Sequence, residues 1–287
     1  MTTSTEALLL SPAEALALQE SGEALILDVR DAEDYKTAHI AGAVSVPQMF
    51  YHLSKTDDAD LQEAKAVFEG LFQKAGVTSE TLVILYEDGF KSRFGGSFRG
   101  WWWLNFFGHS KAAVLDGGFK AWMSDGLPVD DTEVVPEPSD FKITIDESVL
   151  ARQQEVLDAI DNPNVILLDN RDAREWYCEG SSPYDTPGED FSPRRGRIPG
   201  ATWLEWTDLM DDSDSPTFRS PEEIREIMKS QGMEPDSDII IYCFKGSRAS
   251  NTFAALKYAG FTKLRNYLGS WYEWAADESL PIETGSR

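Results

Sequence analysis

Two stretches far apart in the chain read almost alike. Ala24-Leu25-Ile26-Leu27-Asp28-Val29-Arg30 is an apolar run closing in Asp-x-Arg, and Val165-Ile166-Leu167-Leu168-Asp169-Asn170-Arg171 is another. The likeness continues in order. Arg197-Ile198-Pro199-Gly200-Ala201 follows His39-Ile40-Ala41-Gly42-Ala43, and Ile239 to Tyr242 follows Val83 to Tyr86. Gly269-Ser270-Trp271-x-x-Trp274 follows Gly117-Gly118-Phe119-x-x-Trp122. A repeat this long exceeds solenoid periods and means two tandem copies of one domain. A chain of 287 residues has room for both.

Within each copy, short β-branched runs alternate with segments of helical spacing, which specifies an α/β unit with a mainly parallel sheet flanked by helices. Ser11-Pro12 opens a capped helix. Strands are expected at 24–30, 44–47, 81–86 and 113–115, with helices at 31–35 and 61–74 and an aromatic helix carrying Trp101, Trp102 and Trp103. The tryptophan run reads as core and interface packing. The acidic, proline-containing stretch after Val129 lacks either period. The division expected is a first domain over 1–130, a linker over 131–145 and a second domain over 146–287.

The chemistry is expected in the second copy. Ile239-Ile240-Ile241-Tyr242-Cys243-Phe244-Lys245-Gly246-Ser247-Arg248 passes from a buried strand through a thiol and a glycine turn into a helix. Backbone N–H groups at a helix start lack intrahelical partners and favour an anion. Such a place favours thiolate over thiol, and Lys245 and Arg248 push the same way. Gly246 lets the loop curl so that several amides converge. Free cysteines elsewhere are usually small buried hydrophobes, but apolar burial would not also bring Lys, Gly, Ser and Arg within five positions. Laying Val83–Tyr86 on Ile239–Tyr242 puts Glu87 at the place of Cys243. A carboxylate is no thiolate nucleophile and repels an anion, so the first copy should be catalytically silent and form one wall of a cleft.

Composition narrows the partners. A formal net charge of −24 repels nucleic acid and anionic membranes. An anionic substrate must therefore be drawn in by a local basic pocket. Met1–Glu6 does not read as a leader, and no window has membrane-spanning length. Two cysteines, Cys178 and Cys243, make no disulfide framework, so a reducing cytoplasm is expected. His39, His52 and His109 lack metal spacing, and neither a metal nor a cofactor is expected.

Taken together, the doubled Asp-x-Arg strand, the two Ile-x-Gly-Ala segments, the two closing Gly-x-aromatic motifs and the cysteine loop resemble the two-domain rhodaneses. These are thiosulfate sulfurtransferases with 3-mercaptopyruvate sulfurtransferases as relatives. The resemblance implies two tandem rhodanese-like domains, with the site in the second domain facing the interdomain cleft. It implies that Cys243 takes the outer sulfur of thiosulfate as a persulfide and hands it to a thiophile such as cyanide or a thiol, with ping-pong kinetics. The amides from Phe244 to Ala249 would hold the persulfide. Lys245 and Arg248 would bind the donor, Ser247 would add a hydroxyl, and Phe244 would shield the site. Where vertebrate-type enzymes carry a donor-binding arginine, this chain has Glu175, and Arg174, Arg194, Arg195 or Arg197 could replace it.

A lysine two places after the cysteine favours thiosulfate over 3-mercaptopyruvate, whose enzymes tend to carry Cys-Gly-Ser-Gly. A phosphatase reading needs five residues between cysteine and arginine, and here there are four. A sulfur-carrier module fed by a partner desulfurase is the other alternative. Asp28–Arg30 and Asp169–Arg171 occur in both copies and so read as structural. Cys178 is a candidate second thiol.

Overall fold

The computed structural model describes residues 7–213 and 215–285; Met1–Glu6, read above for a leader, lies outside them. The chain forms two compact units. The first holds residues up to His52 with Gln62–Asp146 and Asp212–Thr217; the second holds Leu53–Leu61, Glu147–Asp211 and the chain from Phe218 on.

The first half runs β1 (Leu9–Leu10), α1 (Pro12–Glu20), β2 (Ala24–Asp28), α2 (Ala32–Thr37), β3 (His39–Ile40), β4 (Val44–Ser45), α3 (Gln48–Tyr51), α4 (Asp58–Lys74), β5 (Leu82–Tyr86), α5 (Gly96–Phe106), β6 (Ala112–Leu115), α6 (Gly118–Ser124) and β7 (Val129–Asp130). Its sheet has the order β1-β6-β5-β2-β4, parallel throughout. The second half runs α7 (Gln153–Ala159), β8 (Val165–Asp169), α8 (Ala173–Trp176), β9 (Thr202–Trp203), α9 (Pro221–Ser230), β10 (Asp238–Tyr242), α10 (Ser247–Tyr258), β11 (Lys263–Asn266) and α11 (Ser270–Ala276). Its parallel sheet has the order β11-β10-β8-β9. Both units are therefore parallel sheets flanked by helices, as the alternating pattern predicts.

Local chemistry explains the elements. The Ser11 hydroxyl and the Glu14 carboxylate close a capping box on α1, with Pro12 in its first turn. β5 is buried at every position, as an interior parallel strand must be. Trp102 and Trp103 are fully buried. Trp103 stacks on Phe107 at 5.2 Å and Trp102 on Phe106 at 5.1 Å. Residues 131–145 form no helix or strand, yet they are bound to the first unit. Ser139 N–H donates to Gln73 O at 2.9 Å and Ile143 N–H to Glu69 at 3.0 Å, while Phe141 is buried.

The repeated motifs meet in three dimensions. In each unit the arginine of Asp-x-Arg folds back on its own aspartate, Arg30 on Asp28 at 2.7 Å and Arg171 on Asp169 at 2.6 Å. The aromatic of the closing motif then covers the guanidinium. Phe119 lies 4.1 Å from Arg30 and Trp271 lies 4.7 Å from Arg171. This buried assembly fixes the carboxyl ends of the central strands, where parallel sheets present their ligand sites.

Candidate active site

Cys243 is the first residue after β10, between neighbours β8 and β11. Its Sγ accepts the Gly246 N–H at 3.0 Å. The curl that allows this is open to glycine alone. Gly246 has φ 82°, and a Cβ there would lie 2.7 Å from Leu268 O. Directly after it α10 begins, so the sulfur sits at the positive end of a helix of 12 residues. The loop is pinned from its other side as well. Trp271 N–H donates to Cys243 O at 3.0 Å and Tyr272 N–H to Phe244 O at 2.9 Å. Cys243 is 1% exposed, which screens its sulfur from bulk water and from side reactions.

Arg248 stands one turn into α10 and is fully buried. Its guanidinium grips the Glu175 carboxylate at 2.6 and 3.1 Å and Asp172 at 2.9 Å. Burial works against its charge, yet Glu175, the nearby Cys243 sulfur and Asp172 together raise its pKa above the ordinary arginine value. The expectation that Arg248 grips the donor meets a guanidinium engaged by two carboxylates. Glu175, which departs from the family pattern, is here the partner that keeps Arg248 in place.

Lys245 projects among aromatic rings. Its Nζ lies 4.4 Å from the ring centre of Phe191, 4.6 Å from Tyr184, 4.9 Å from Tyr272 and 5.4 Å from Phe244. Phe244 itself is buried and packs in the core of the unit. Tyr184 and Phe191 come from a loop wound around Asp185. That carboxylate accepts Ser181 N–H at 2.7 Å, Ser182 Oγ–H at 3.0 Å and Phe191 N–H at 2.9 Å. Burial raises its pKa, but these donors outweigh burial and hold it well below the usual carboxylate range.

The four arginines considered as replacements have other partners. Arg194 donates to four backbone carbonyls, Ala275, Leu280, Trp274 and Asp277, and so caps the end of α11. Arg197 is buried, stacks 4.4 Å from Trp176 and donates to Trp176 O, Gly285 O and Glu283. Arg195 makes a two-pronged pair with Asp190, both contacts at 2.6 Å. Arg174 is 56% exposed with Asp185 at 3.7 Å. Ser247 opens α10 and is buried. Cys178 is a free thiol with φ 61°. Among the described residues, no three potential ligands gather into a metal-binding group, and no helix is long and apolar enough to cross a membrane.

The first unit holds the matching arrangement with a different occupant. Glu87 follows β5 as Cys243 follows β10. Its carboxylate accepts the Gly96 and Ser97 N–H groups at the start of α5 at 3.1 and 3.0 Å, and the Ser97 and Ser92 hydroxyls at 2.7 and 3.0 Å. The helix start is thus filled by the chain's own side chain. Burial pushes the Glu87 pKa up to about 7 despite the four donors.

Sequence reasoning missed Ser270. Its Oγ accepts the Cys243 N–H at 3.1 Å and lies 3.9 Å from Sγ. Its φ of 54° is one that favours glycine, and the matching residue of the first unit is indeed a glycine, Gly118, at 64°. A serine held where its repeat partner is glycine was the available signal.

Comparison with known proteins matches this architecture twice: the Rhodanese-like domain fits residues 11–125 and 152–277. The chain belongs to the rhodanese-like family. A relative from Mycobacterium bovis, provisionally named thiosulfate sulfurtransferase 1, is 33% identical over 89% of this rhodanese and 90% of its own length. The thiosulfate sulfurtransferase of Azotobacter vinelandii is 26% identical over 96% of this chain and 97% of its own. The sulfur carrier protein TtuD of Thermus thermophilus is 31% identical over 88% and 87%. The solved structure of wild-type EanB shares the fold, with a TM-score of 0.78 at 23% identity over 99% of this chain and 70% of its own. This two-domain rhodanese is a sulfurtransferase, as the motifs of its sequence implied.

Proposed function

We propose that this sulfurtransferase moves sulfane sulfur from thiosulfate to a thiophilic acceptor through a Cys243 persulfide. The thiolate attacks the outer sulfur of thiosulfate. The donor's sulfur–sulfur bond breaks, its electron pair leaves on sulfite, and the outer sulfur stays on Cys243. Cyanide or a thiol then attacks that sulfur and releases the thiolate. This is covalent catalysis in two displacements.

The observation that carries the reading is the Gly246 N–H directed at Cys243 Sγ at 3.0 Å where α10 begins. A buried hydrophobic cysteine would have no use for such a donor. Support also comes from Glu87, which takes two helix-start N–H groups in the first unit and leaves no thiol there. On this reading residues 1–130 are the silent domain, 131–145 the linker and 146–287 the catalytic domain. Arg248 acts through its pair with Glu175, and a phosphatase role is disfavoured because that guanidinium is already held. Free thiols at Cys178 and Cys243 fit a reducing cytoplasm, and the charge of −24 disfavours nucleic acid and anionic membranes as partners.

Thiosulfate is preferred over 3-mercaptopyruvate because Lys245 is retained. Comparing kcat/KM for the two donors with one acceptor tests this; a higher value for thiosulfate with parallel double-reciprocal lines is expected. A higher value for 3-mercaptopyruvate would reassign the donor. The likeness to TtuD favours a second reading, a carrier that passes its sulfur to another protein. Such a carrier would accept sulfur from a partner and stay unmodified by thiosulfate alone.

A further inference from the structure

We propose that no arginine takes over at the place of Glu175, and that the aromatic enclosure of Lys245 formed by Tyr184, Phe191, Phe244 and Tyr272 determines recognition of the donor's anionic end. This rests on the thiosulfate reading above and says which residues give it specificity. Three observations lead to it. First, Arg194 and Arg197 are engaged by backbone carbonyls and Arg248 by Glu175 and Asp172. Second, four ring centres lie 4.4 to 5.4 Å from the Lys245 ammonium. Ring faces attract a cation through their quadrupole and add no opposite charge, so they fix the ammonium without neutralising it. A carboxylate in their place would cancel the field that draws an anion toward a strongly acidic protein. Third, Tyr184, Phe191 and Tyr272 are each 38 to 50% exposed although their neighbour Phe244 is buried. They form a partly open rim around the charge.

The rim is built deliberately. Asp185 gathers Ser181, Ser182 and the Phe191 N–H, and the residues on either side of this hub deliver Tyr184 and Phe191 to Lys245. Asp185 is therefore a positioning residue, two contacts removed from the donor. A flexible lysine held this way loses less freedom when it meets an anion, which favours binding of the donor over later steps.

The test is steady-state kinetics of the full chain with thiosulfate and cyanide on three variants: Tyr184→Leu/Phe191→Leu, Tyr184→Phe and Asp185→Asn. Removing two ring faces should raise the thiosulfate KM about tenfold and change kcat less than about twofold. Tyr184→Phe keeps the ring face and should keep the KM. Asp185→Asn should reproduce the KM increase. A role confined to folding would instead lower kcat and yield while leaving KM in place. The proposal is overturned if the double leucine variant keeps the wild-type KM, or if Arg174→Ala or Arg195→Ala raises KM more than the double variant does. Sulfur loading of the wild-type protein by thiosulfate, read by intact mass, is measured alongside. A wild type that gains no sulfur refutes the donor reading, whereas a loaded wild type with unchanged variant KM refutes only the enclosure.

Discussion

Replacing Glu175 by glutamine should damage the site through its stability. The Glu175 and Arg248 side chains are each 2% exposed and meet at 2.6 Å. Removing one partner of a buried pair leaves an uncompensated charge and destabilises by about 3–5 kcal/mol. Asp172 still faces Arg248 at 2.9 Å but is 37% exposed; glutamine can also keep one hydrogen bond. These place the loss near the lower bound, about 3 kcal/mol, or roughly 10 °C in the melting temperature of a domain of this size. Calorimetry reads the shift, and hydrogen exchange over residues 238–258 assigns it to the unit that holds Cys243. Glu175→Met/Arg248→Met removes both charges and should recover much of the loss, because the desolvation of the pair disappears with it. A glutamine variant within about 0.5 kcal/mol of wild type, or a double variant as unstable as the single one, would refute the reasoning.

Two further outcomes follow from the geometry. The Glu87 pKa is about 7 in the folded protein against an ordinary 4.5, so its stabilising contribution is complete below pH 4.5 and is lost as pH rises through about 7. Glu87→Gln should abolish that loss, roughly 3 kcal/mol, and flatten the stability profile between these pH values; unfolding midpoints that keep the wild-type pH slope would contradict it. Ser270→Gly relieves the backbone at φ 54° but leaves the buried Cys243 N–H without its acceptor. Each effect is on the order of 1–2 kcal/mol and opposite in sign, so the melting temperature should hardly move while kcat falls about tenfold through misplacement of the thiol. Unchanged kcat would deny Ser270 its positioning role.

Much of the fold was legible because its signals are local. Apolar runs ending in Asp-x-Arg, the Ser11 cap and the doubled order of motifs each act within a few residues, and the structure has the strands and helices they specify. Cys243 was legible for the same reason, since strand, thiol, glycine and helix are contiguous. Glu87 became readable once one copy was laid on the other. Partners joined over long separations were not. Arg248 meets Glu175 across 73 residues and Arg194 meets α11 across about 80. A sequence shows an arginine near a site but not whether a carboxylate or a carbonyl reaches it first. The enclosure of Lys245 was hidden likewise, because Tyr184 and Phe191 lie in a stretch without helical or strand period and are ordered by Asp185.

Intact mass spectrometry after incubation with thiosulfate alone tests the central claim most directly. Wild-type protein should gain one sulfur, lose it on addition of cyanide with release of thiocyanate, and gain none as Cys243→Ser with an unaltered melting profile. A wild type that stays unmodified, or a Cys243→Ser variant that still takes up the sulfur, would contradict it.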